Sequence, residues 1–280
     1  MKKAINFWSF DNKTAKEAID LAHNIGYDGI ELTLDETGPV NLATTNQELL
    51  DLKKHAESTG IKIHSLATGL YWQYSIVSED KKQRDKAIDI AVKQLEAAKI
   101  LGADCILFVP GTVGVDFVPD YNETVRYDIA YERALKTLNE LKTVAEKHEV
   151  YIGVENVWNK FLLSPIEMRN FIEKINSPYV GAYFDVGNVV YSGYPEHWIE
   201  ILGKHIKKVH FKDYKNAVGG IHGFVDLLAG DVNWKAVMRA FNSIGYDDWV
   251  TAEILPPYTH CPDQILYNTF ASMERILELC

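Results

Sequence analysis

Eight short segments rich in β-branched and aromatic residues recur along the 280-residue chain, with helical patterns between them. Most of these segments are apolar on both faces, as strands of a parallel sheet are when helices cover both sides. They are AINFWSF near residue 4, GIELTL near 29, IKIHSLA near 61, CILFVP near 105, YIGVEN near 151, VGAYFDVG near 180, KKVHFKD near 207 and WVTAEIL near 249. Strict alternation of eight strands with helices predicts a parallel (β/α)8 barrel.

The helical stretches carry their own start and stop signals. Thr14, Thr45 and Ser164 are predicted N-caps. Glycines that precede the next strand predict left-handed C-terminal caps at Gly26, Gly60, Gly102 and Gly245. Because barrels of this kind commonly run to about 250 residues, we expect a single α/β TIM-barrel domain over residues 1–280. A doubly wound open sheet is the alternative, but no Gly-rich phosphate turn follows the first strand.

The composition is that of an ordinary globular protein, because hydrophobic residues make up 47% and charged residues 24% of the chain. A formal net charge of -10 would repel a polyphosphate backbone, so nucleic acid is not expected as a partner. No stretch reaches the ~18 apolar residues of a membrane helix or the ~7–15 of a signal sequence. The 3 cysteines have no paired spacing, which suits a reducing compartment. We therefore expect a cytoplasmic protein without a membrane partner.

Three connections that follow predicted strands are longer than the typical ~2–6 residues of a loop between strand and helix. They cover residues 70–85, 111–126 and 214–231. In a parallel barrel all such loops lie at the carboxyl ends of the strands, where active sites are built. The active site is therefore expected at that end of the barrel.

Polar side chains stand at the ends of four consecutive predicted strands. Glu155 ends the fifth strand and Asp185 the sixth, while His210 lies near the end of the seventh. Glu253 lies near the end of the eighth. Considered alone, each carboxylate could instead be a helix cap or an ion-pair partner, and the histidine could be a hydrogen-bonded core residue. Three carboxylates that converge in a buried place need a compensating cation, and a divalent metal is the simplest candidate.

Three oxygen ligands and one nitrogen ligand suit Mn²⁺ or Mg²⁺, and Co²⁺ or Zn²⁺ also accept such a set. A divalent ion would stabilise the negative charge that develops when a proton leaves the carbon next to a carbonyl. Two carboxylates that flank a ketose can remove a proton from one face and return it to the other, which inverts the carbon. Proton transfer between C1 and C2 would give aldose–ketose isomerisation instead, and the residues do not separate these outcomes.

Five short strings make the chain similar to the xylose-isomerase-like TIM-barrel superfamily. They are VEN at 154, YFDVGN at 183, KKVHFKD at 207, GDVNW at 230 and TAEI at 251. The resemblance covers essentially the whole chain, from GYDGIELTLDE onward. It is strongest to the sugar and sugar-phosphate 3-epimerase branch, above all to L-xylulose-5-phosphate 3-epimerases. Tagatose and psicose 3-epimerases and hydroxypyruvate isomerases are less similar.

This resemblance implies a metal-dependent isomerase or epimerase whose metal is held by Glu155, Asp185, His210 and Glu253. It also implies that Glu155 and Glu253 transfer protons on opposite faces of the substrate. Asn188 matches a substrate contact that is a histidine in epimerases of free ketoses, which favours a phosphorylated substrate. We therefore expect Mn²⁺-dependent 3-epimerisation of a small ketose or ketose phosphate. A homodimer or homotetramer stays open.

Six side chains near strand ends or in the loops that follow them are candidate substrate contacts, namely His64, Trp72, Trp158, Asn188, Lys212 and His222. Lys212 can meet an anionic oxygen of the substrate or pair with the neighbouring Asp213. His222 lies in the glycine-bearing GGIHGF loop and is a candidate phosphate or lid contact. Packing is the alternative for His64 and for the two tryptophans.

Four rival functions remain. Aldose–ketose or hydroxypyruvate-type isomerisation uses the same proton chemistry, and inositol-catabolism dehydratases of similar fold would lose water after proton removal. Apurinic-site endonucleases share the superfamily, but they need several more histidines and a basic groove. This chain has 9 histidines in all and a net charge of -10. A sugar-binding barrel without turnover would not need both proton-transfer carboxylates.

Overall fold

Eight parallel strands close into a barrel in this computed structural model, which describes residues 1–118 and 123–279. The barrel strands are β1 Lys2–Asn6, β2 Gly29–Thr33, β3 Lys62–Ala67, β4 Cys105–Phe108, β5 Tyr151–Glu155, β6 Val180–Asp185, β7 Ile206–Phe211 and β10 Trp249–Ala252. β1 closes the ring because it pairs with both β2 and β10. All eight predicted strand segments are confirmed, and the open sheet is excluded because the barrel has no free edge.

Within the described residues, eight α-helices surround the barrel. They are α1 Ala15–Ile25, α2 Asn46–Thr59, α3 Lys81–Leu101, α4 Tyr127–His148, α5 Pro165–Ile175, α6 Pro195–Leu202, α7 Trp234–Ser243 and α8 Gln264–Leu277. The predicted caps at Thr14, Thr45 and Ser164 are confirmed, since each side chain accepts a backbone N–H of its helix. The sequence patterns do not reveal α6 and α8. Neither helix begins with a side-chain cap, and α6 has only 8 residues over which a helical period could show.

The loop after β7 carries a small antiparallel hairpin, β8 Asp213–Tyr214 and β9 Phe224–Val225, on the carboxyl end of the barrel. Asp213 organises this loop, because its carboxylate accepts the backbone N–H groups of Leu228 and Val232 and the indole N–H of Trp234. Asp213 is therefore occupied by the loop and does not pair with Lys212. Residues 119–122 of the predicted loop 111–126 lie outside the described residues.

A buried cation lies at the amino-terminal end of the barrel. The Lys208 side chain is 1% exposed, and its Nζ lies 2.7 Å from Asp248 Oδ2 and 3.1 Å from Asp104 Oδ1. Both aspartates immediately precede barrel strands, so the lysine fastens β4, β7 and β10 together at this end. Its ammonium is balanced by carboxylates that still reach water.

The described part of the chain contains no helix that combines the length and the apolar character needed to cross a bilayer. Cys105 is a buried free thiol and Cys261 an exposed one. Cys280 lies outside the described residues.

Candidate active site

The four rim residues lie together at the carboxyl end of the barrel. Glu155 and Asp185 are the last residues of β5 and β6. His210 lies on β7, where it is the register partner of Asp185, and Glu253 follows β10 directly. One donor atom from each side chain lies within 4.8 Å of the others, and all four residues are buried. The common strand direction thus gathers side chains that are up to 98 positions apart in the sequence, from 155 to 253.

Lys212 is the cation nearest to this cluster. Its Nζ lies 2.9 Å from Glu253 Oε2 and 3.2 Å from Asp185 Oδ2. His210 Nδ1 lies 3.0 Å from Glu253 Oε2. Two buried atoms that face the cluster, Asp185 Oδ2 and His210 Nδ1, have no hydrogen-bond partner of normal geometry. Buried polar atoms are rarely left this way, so a ligand for these atoms is expected.

The carboxyl groups of Glu155 and Glu253 differ in proton affinity. Burial and the negative charge of Glu253 raise the pKa of Glu155 to about 8. Burial also opposes the ionisation of Glu253, but the nearby Lys212 and His210 outweigh burial and lower its pKa to about 2. Two titratable groups with pKa values pushed apart at one site are typical of acid–base pairs.

Glu31 is a buried residue of this region that the sequence patterns do not single out. Its Oε1 lies 2.7 Å from His210 Nε2, on the side of the ring away from the rim carboxylates. Asn6 donates to the same oxygen at 2.6 Å, and Tyr183 donates to Oε2 at 2.6 Å. Ser65 also donates to Oε2. A carboxylate that holds the second nitrogen of a ligating histidine is the usual outer support of a metal site.

The charges around His210 support a divalent cation. Glu31, Glu155, Asp185 and Glu253 supply four carboxylates, whereas His210 and Lys212 supply at most two positive charges. A divalent ion among the four rim donors would balance the remaining two charges. Three oxygens and one imidazole nitrogen form a donor set that Mn²⁺, Mg²⁺, Co²⁺ or Zn²⁺ accepts. The residues present therefore fit one such ion.

A cavity of about 700 Å³, called the inner cavity below, opens directly above the cluster. Glu155, Glu253 and Lys212 form its polar floor. Its walls include four of the predicted substrate contacts together with several residues that the sequence patterns do not indicate. The former are Trp72, Trp158, Asn188 and His222, and the latter include Trp8, Phe117, Phe224, Ile254 and Pro256.

The predicted contacts differ in how firmly they are held. Trp158 donates its indole N–H to the Asn188 carbonyl at 2.7 Å and packs against Phe224. The Asn188 side chain donates to the Asn156 carbonyl at 3.0 Å, so one of its two amide N–H groups is engaged within the protein. His222 is exposed on a short turn beside the cavity. Its imidazole is therefore free to meet a ligand.

His64 does not line the inner cavity. Its ring stacks on Trp249 at 4.7 Å between ring centres, and its Nε2 lies 2.9 Å from the Thr251 hydroxyl. Burial and the charge of Lys208 hold the pKa of His64 well below its usual value, so the ring is neutral. The His64 side chain, predicted as a substrate contact, thus lies inside the barrel and packs there, as the alternative interpretation expects.

Known proteins share this architecture. The profile of the xylose isomerase-like TIM barrel family matches residues 19–267. L-ribulose-5-phosphate 3-epimerase UlaE from Escherichia coli is 24% identical over 233 residues, covering 82% of this chain and 78% of the relative. A D-psicose 3-epimerase solved in the presence of D-fructose has a TM-score of 0.82 and 16% identity over 99% of both chains. The IOLI protein with a bound zinc atom has a TM-score of 0.80 and 19% identity, over 99% of this chain and 98% of that one.

At these identities, the likeness to the two solved structures shows the fold alone. The family profile goes further, because it includes β2 through β10 and all four rim residues. The resemblance noted in the sequence is confirmed by this match. The chain belongs to the xylose isomerase-like TIM barrel family.

Proposed function

We propose that this chain is a metal-dependent epimerase that inverts C3 of a small ketose or ketose phosphate. The observation that carries the proposal is the pair Glu155 and Glu253, two buried carboxylates that reach the floor of one cavity from strands with β6 and β7 between them. The names of the Escherichia coli relative and of the psicose 3-epimerase support the same class of reaction.

Proton transfer by the two carboxylates follows from their positions in the ring. Glu155 ends β5 and Glu253 follows β10, and β6 and β7 lie between these strands. The two side chains therefore reach the cavity from different sides. One carboxylate takes the proton from one face of the carbon, and the other delivers a proton to the opposite face. In the reverse direction the two roles exchange.

Lys212 contributes a fixed positive charge to the floor. Burial opposes its charged form, but Asp185 and Glu253 outweigh burial and raise the pKa of the ammonium above its usual value. The side chain therefore remains protonated throughout the physiological range. An ammonium at this place stabilises negative charge that develops on a substrate oxygen.

Glu155, Asp185, His210 and Glu253 would hold the divalent ion. When bound, the ion withdraws electron density from the ketose carbonyl and makes the neighbouring C–H more acidic. Mn²⁺ is our first choice because three of the four donors are carboxylates. The zinc atom of the IOLI neighbour makes Zn²⁺ the ion to compare.

Two rival functions are disfavoured by the cavity. An apurinic-site endonuclease needs a cationic groove for the phosphate backbone, whereas Trp8, Trp72 and Phe224 wall the inner cavity. A binding protein without turnover has no use for two carboxylates that face one cavity from different sides of the ring. Aldose–ketose isomerisation and dehydration use the same first proton transfer, so they are separated by product analysis.

The direct test is a panel of ketoses and ketose phosphates incubated with the Mn²⁺-loaded protein in deuterated water. We expect deuterium at C3 and formation of the C3 epimer. Deuterium at C1 or C2 with an aldose product would indicate an isomerase, and a product lighter by one water would indicate a dehydratase. Absence of exchange from every ketose, with metal content verified, would contradict the proposal.

A further inference from the structure

A second cavity of about 520 Å³, called the outer cavity below, adjoins the inner one. The two share a wall of five residues, namely Phe117, Val157, Trp158, Asn188 and Ile221. Cavities of roughly 300–1,000 Å³ bury drug-sized ligands, so the inner cavity alone has room for a monosaccharide. The outer cavity is therefore space that a single ketose does not need.

Apolar side chains that remain exposed surround the outer cavity. Tyr191 and Leu163 line it and are 65% and 64% exposed, and Ile221 on the shared wall is 42% exposed. Grouped exposed apolar residues mark binding surfaces more often than chance placement. The C–H face of a pyranose ring packs well on an aromatic ring, and Trp158 and Tyr191 lie with their ring centres 6.0 Å apart beside this cavity.

Polar groups in the outer cavity suit hydroxyl groups and carry no surplus charge. Lys160 and Asp116 both line it and pair with each other at 2.7 Å. Together they offer a donor and an acceptor with zero net charge. Ser192 adds a hydroxyl to the lining.

Neither cavity offers a free lysine or arginine for a phosphate among the described residues. Lys212 lies on the cavity floor between Asp185 and Glu253, where it serves the reacting oxygen of the ketose, and Lys160 is paired with Asp116. Barrel enzymes commonly bind phosphate in the loops after the seventh and eighth strands, but these loops present Phe224, Val225 and the segment 254–256 to the inner cavity. Residues 119–122, outside the described part, are Pro, Asp, Tyr and Asn and add no cation. Only His222 is left, on an exposed turn.

From this combination we propose that the outer cavity is a subsite for a neutral sugar ring. The substrate class is then a glycosyl-ketose, in which the ketose occupies the inner cavity and the attached pyranose occupies the outer one. This inference rests on the proposed epimerase function. It replaces the phosphorylated substrate that Asn188 favours at the level of sequence with an uncharged one.

The test compares three ligands that differ only at O6 of the ketose. They are D-fructose, D-fructose 6-phosphate and 6-O-α-D-glucopyranosyl-D-fructose. Binding is measured by tryptophan fluorescence and calorimetry, and turnover by deuterium uptake at C3 with Mn²⁺-loaded protein. We expect the disaccharide to bind at least tenfold more tightly than either of the other two. Tighter binding of the phosphate, or equal binding of all three, would overturn the subsite.

A matched pair of aromatic variants locates the effect. Tyr191→Ala removes an outer-cavity wall, so we expect it to abolish most of the advantage of the disaccharide over fructose. Tyr194→Ala removes an equally exposed aromatic residue from the same loop but outside both cavities, and we expect it to retain that advantage. If Tyr191→Ala alters the oligomeric state in solution without changing the disaccharide advantage, the surface joins copies of the chain and the subsite is refuted.

These experiments distinguish a failure of the sugar subsite from a failure of the epimerase proposal. Exchange with fructose but no preference for the disaccharide refutes the subsite and leaves the epimerase intact. Tight disaccharide binding without exchange at C3 in any ligand retains the subsite and refutes the epimerase chemistry. If the disaccharide neither binds nor exchanges while fructose does both, the outer cavity excludes a second ring.

Discussion

The two ends of the barrel each contain buried charges, and they are balanced differently. At the amino-terminal end, Lys208 meets Asp104 and Asp248, whose side chains are 52% and 45% exposed. At the carboxyl end, Glu155, Asp185 and Glu253 are almost fully buried and share one lysine and one imidazole. In the first cluster, the charge of the lysine is matched by two carboxylates that reach water. The second has more acid than base and opens into a cavity.

This difference explains why we assign the proposed proton transfer to the carboxyl end of the barrel alone. Carboxylates in contact with water need no further partner, so the cluster around Lys208 joins strands without calling for a ligand. Buried carboxylates in excess must either bind a cation or retain a proton, and the raised pKa of Glu155 is the second response. A group poised between these two states is what proton transfer to a ligand requires.

The largest effect is expected from removing either proton-transfer carboxylate. Glu155→Gln and Glu253→Gln should each lower the rate of epimerisation by about 10²–10⁴-fold, because each removes the acid–base group on one face. Each variant with bound metal should still exchange the C3 proton of one epimer with solvent. Wild-type interconversion by either variant, with metal content measured, would refute the two-carboxylate mechanism.

A smaller effect is expected from the outer support of His210. Glu31→Gln preserves the shape of the side chain but removes the charge that orients the imidazole, so metal affinity should fall about 10–100-fold. Turnover at saturating Mn²⁺ should return close to the wild-type value, which separates positioning from loss of fold. Glu57→Gln on the outside of α2 is the matched control, since its side chain is 63% exposed. Unchanged affinity in Glu31→Gln would show that Glu31 serves packing alone.

The two lysines sharpen the comparison between the ends. Lys212→Met should lower turnover at least tenfold without weakening metal binding, because it removes a cation that stabilises substrate charge and competes with the ion. Lys208→Met should keep turnover and metal affinity within about twofold, because its aspartates can be solvated. Measured stability should change by only about 1 kcal/mol in that variant. Equal losses of turnover in both variants would contradict the functional difference between the two ends of the barrel.

Much of the fold was accessible from the sequence because the signals are local. Strand segments, N-caps and glycine ends depend on a few adjacent residues, and the common direction of parallel strands then places Glu155 and Asp185 at one end. The same reasoning brings His210 and Glu253 to that end without any contact being known. The common location of these four side chains was predictable because a residue at the carboxyl end of a parallel strand must lie at that end of the barrel.

Other features depend on contacts that no local pattern encodes. Glu31 reads as one polar residue inside GIELTL, and its partner His210 is 179 positions away. A buried carboxylate in an apolar strand is a signal in itself, because it needs a partner, but the partner cannot be named from spacing. Phe117 and Trp8 reach the cavity through loop geometry. His64 faces the barrel interior because β3 continues for three residues beyond it, to Ala67, so the side chain lies inside the strand and not at its carboxyl end.

The most direct test of the account is a metal titration of the carboxyl-end cluster. Protein stripped with a chelator should lose C3 proton exchange, and Mn²⁺ should restore it in proportion to bound ion, saturating at one ion per chain. Zn²⁺ should restore no more activity than Mn²⁺, because the donor set is mostly carboxylate. Full exchange activity in protein verified to be free of metal would contradict the account.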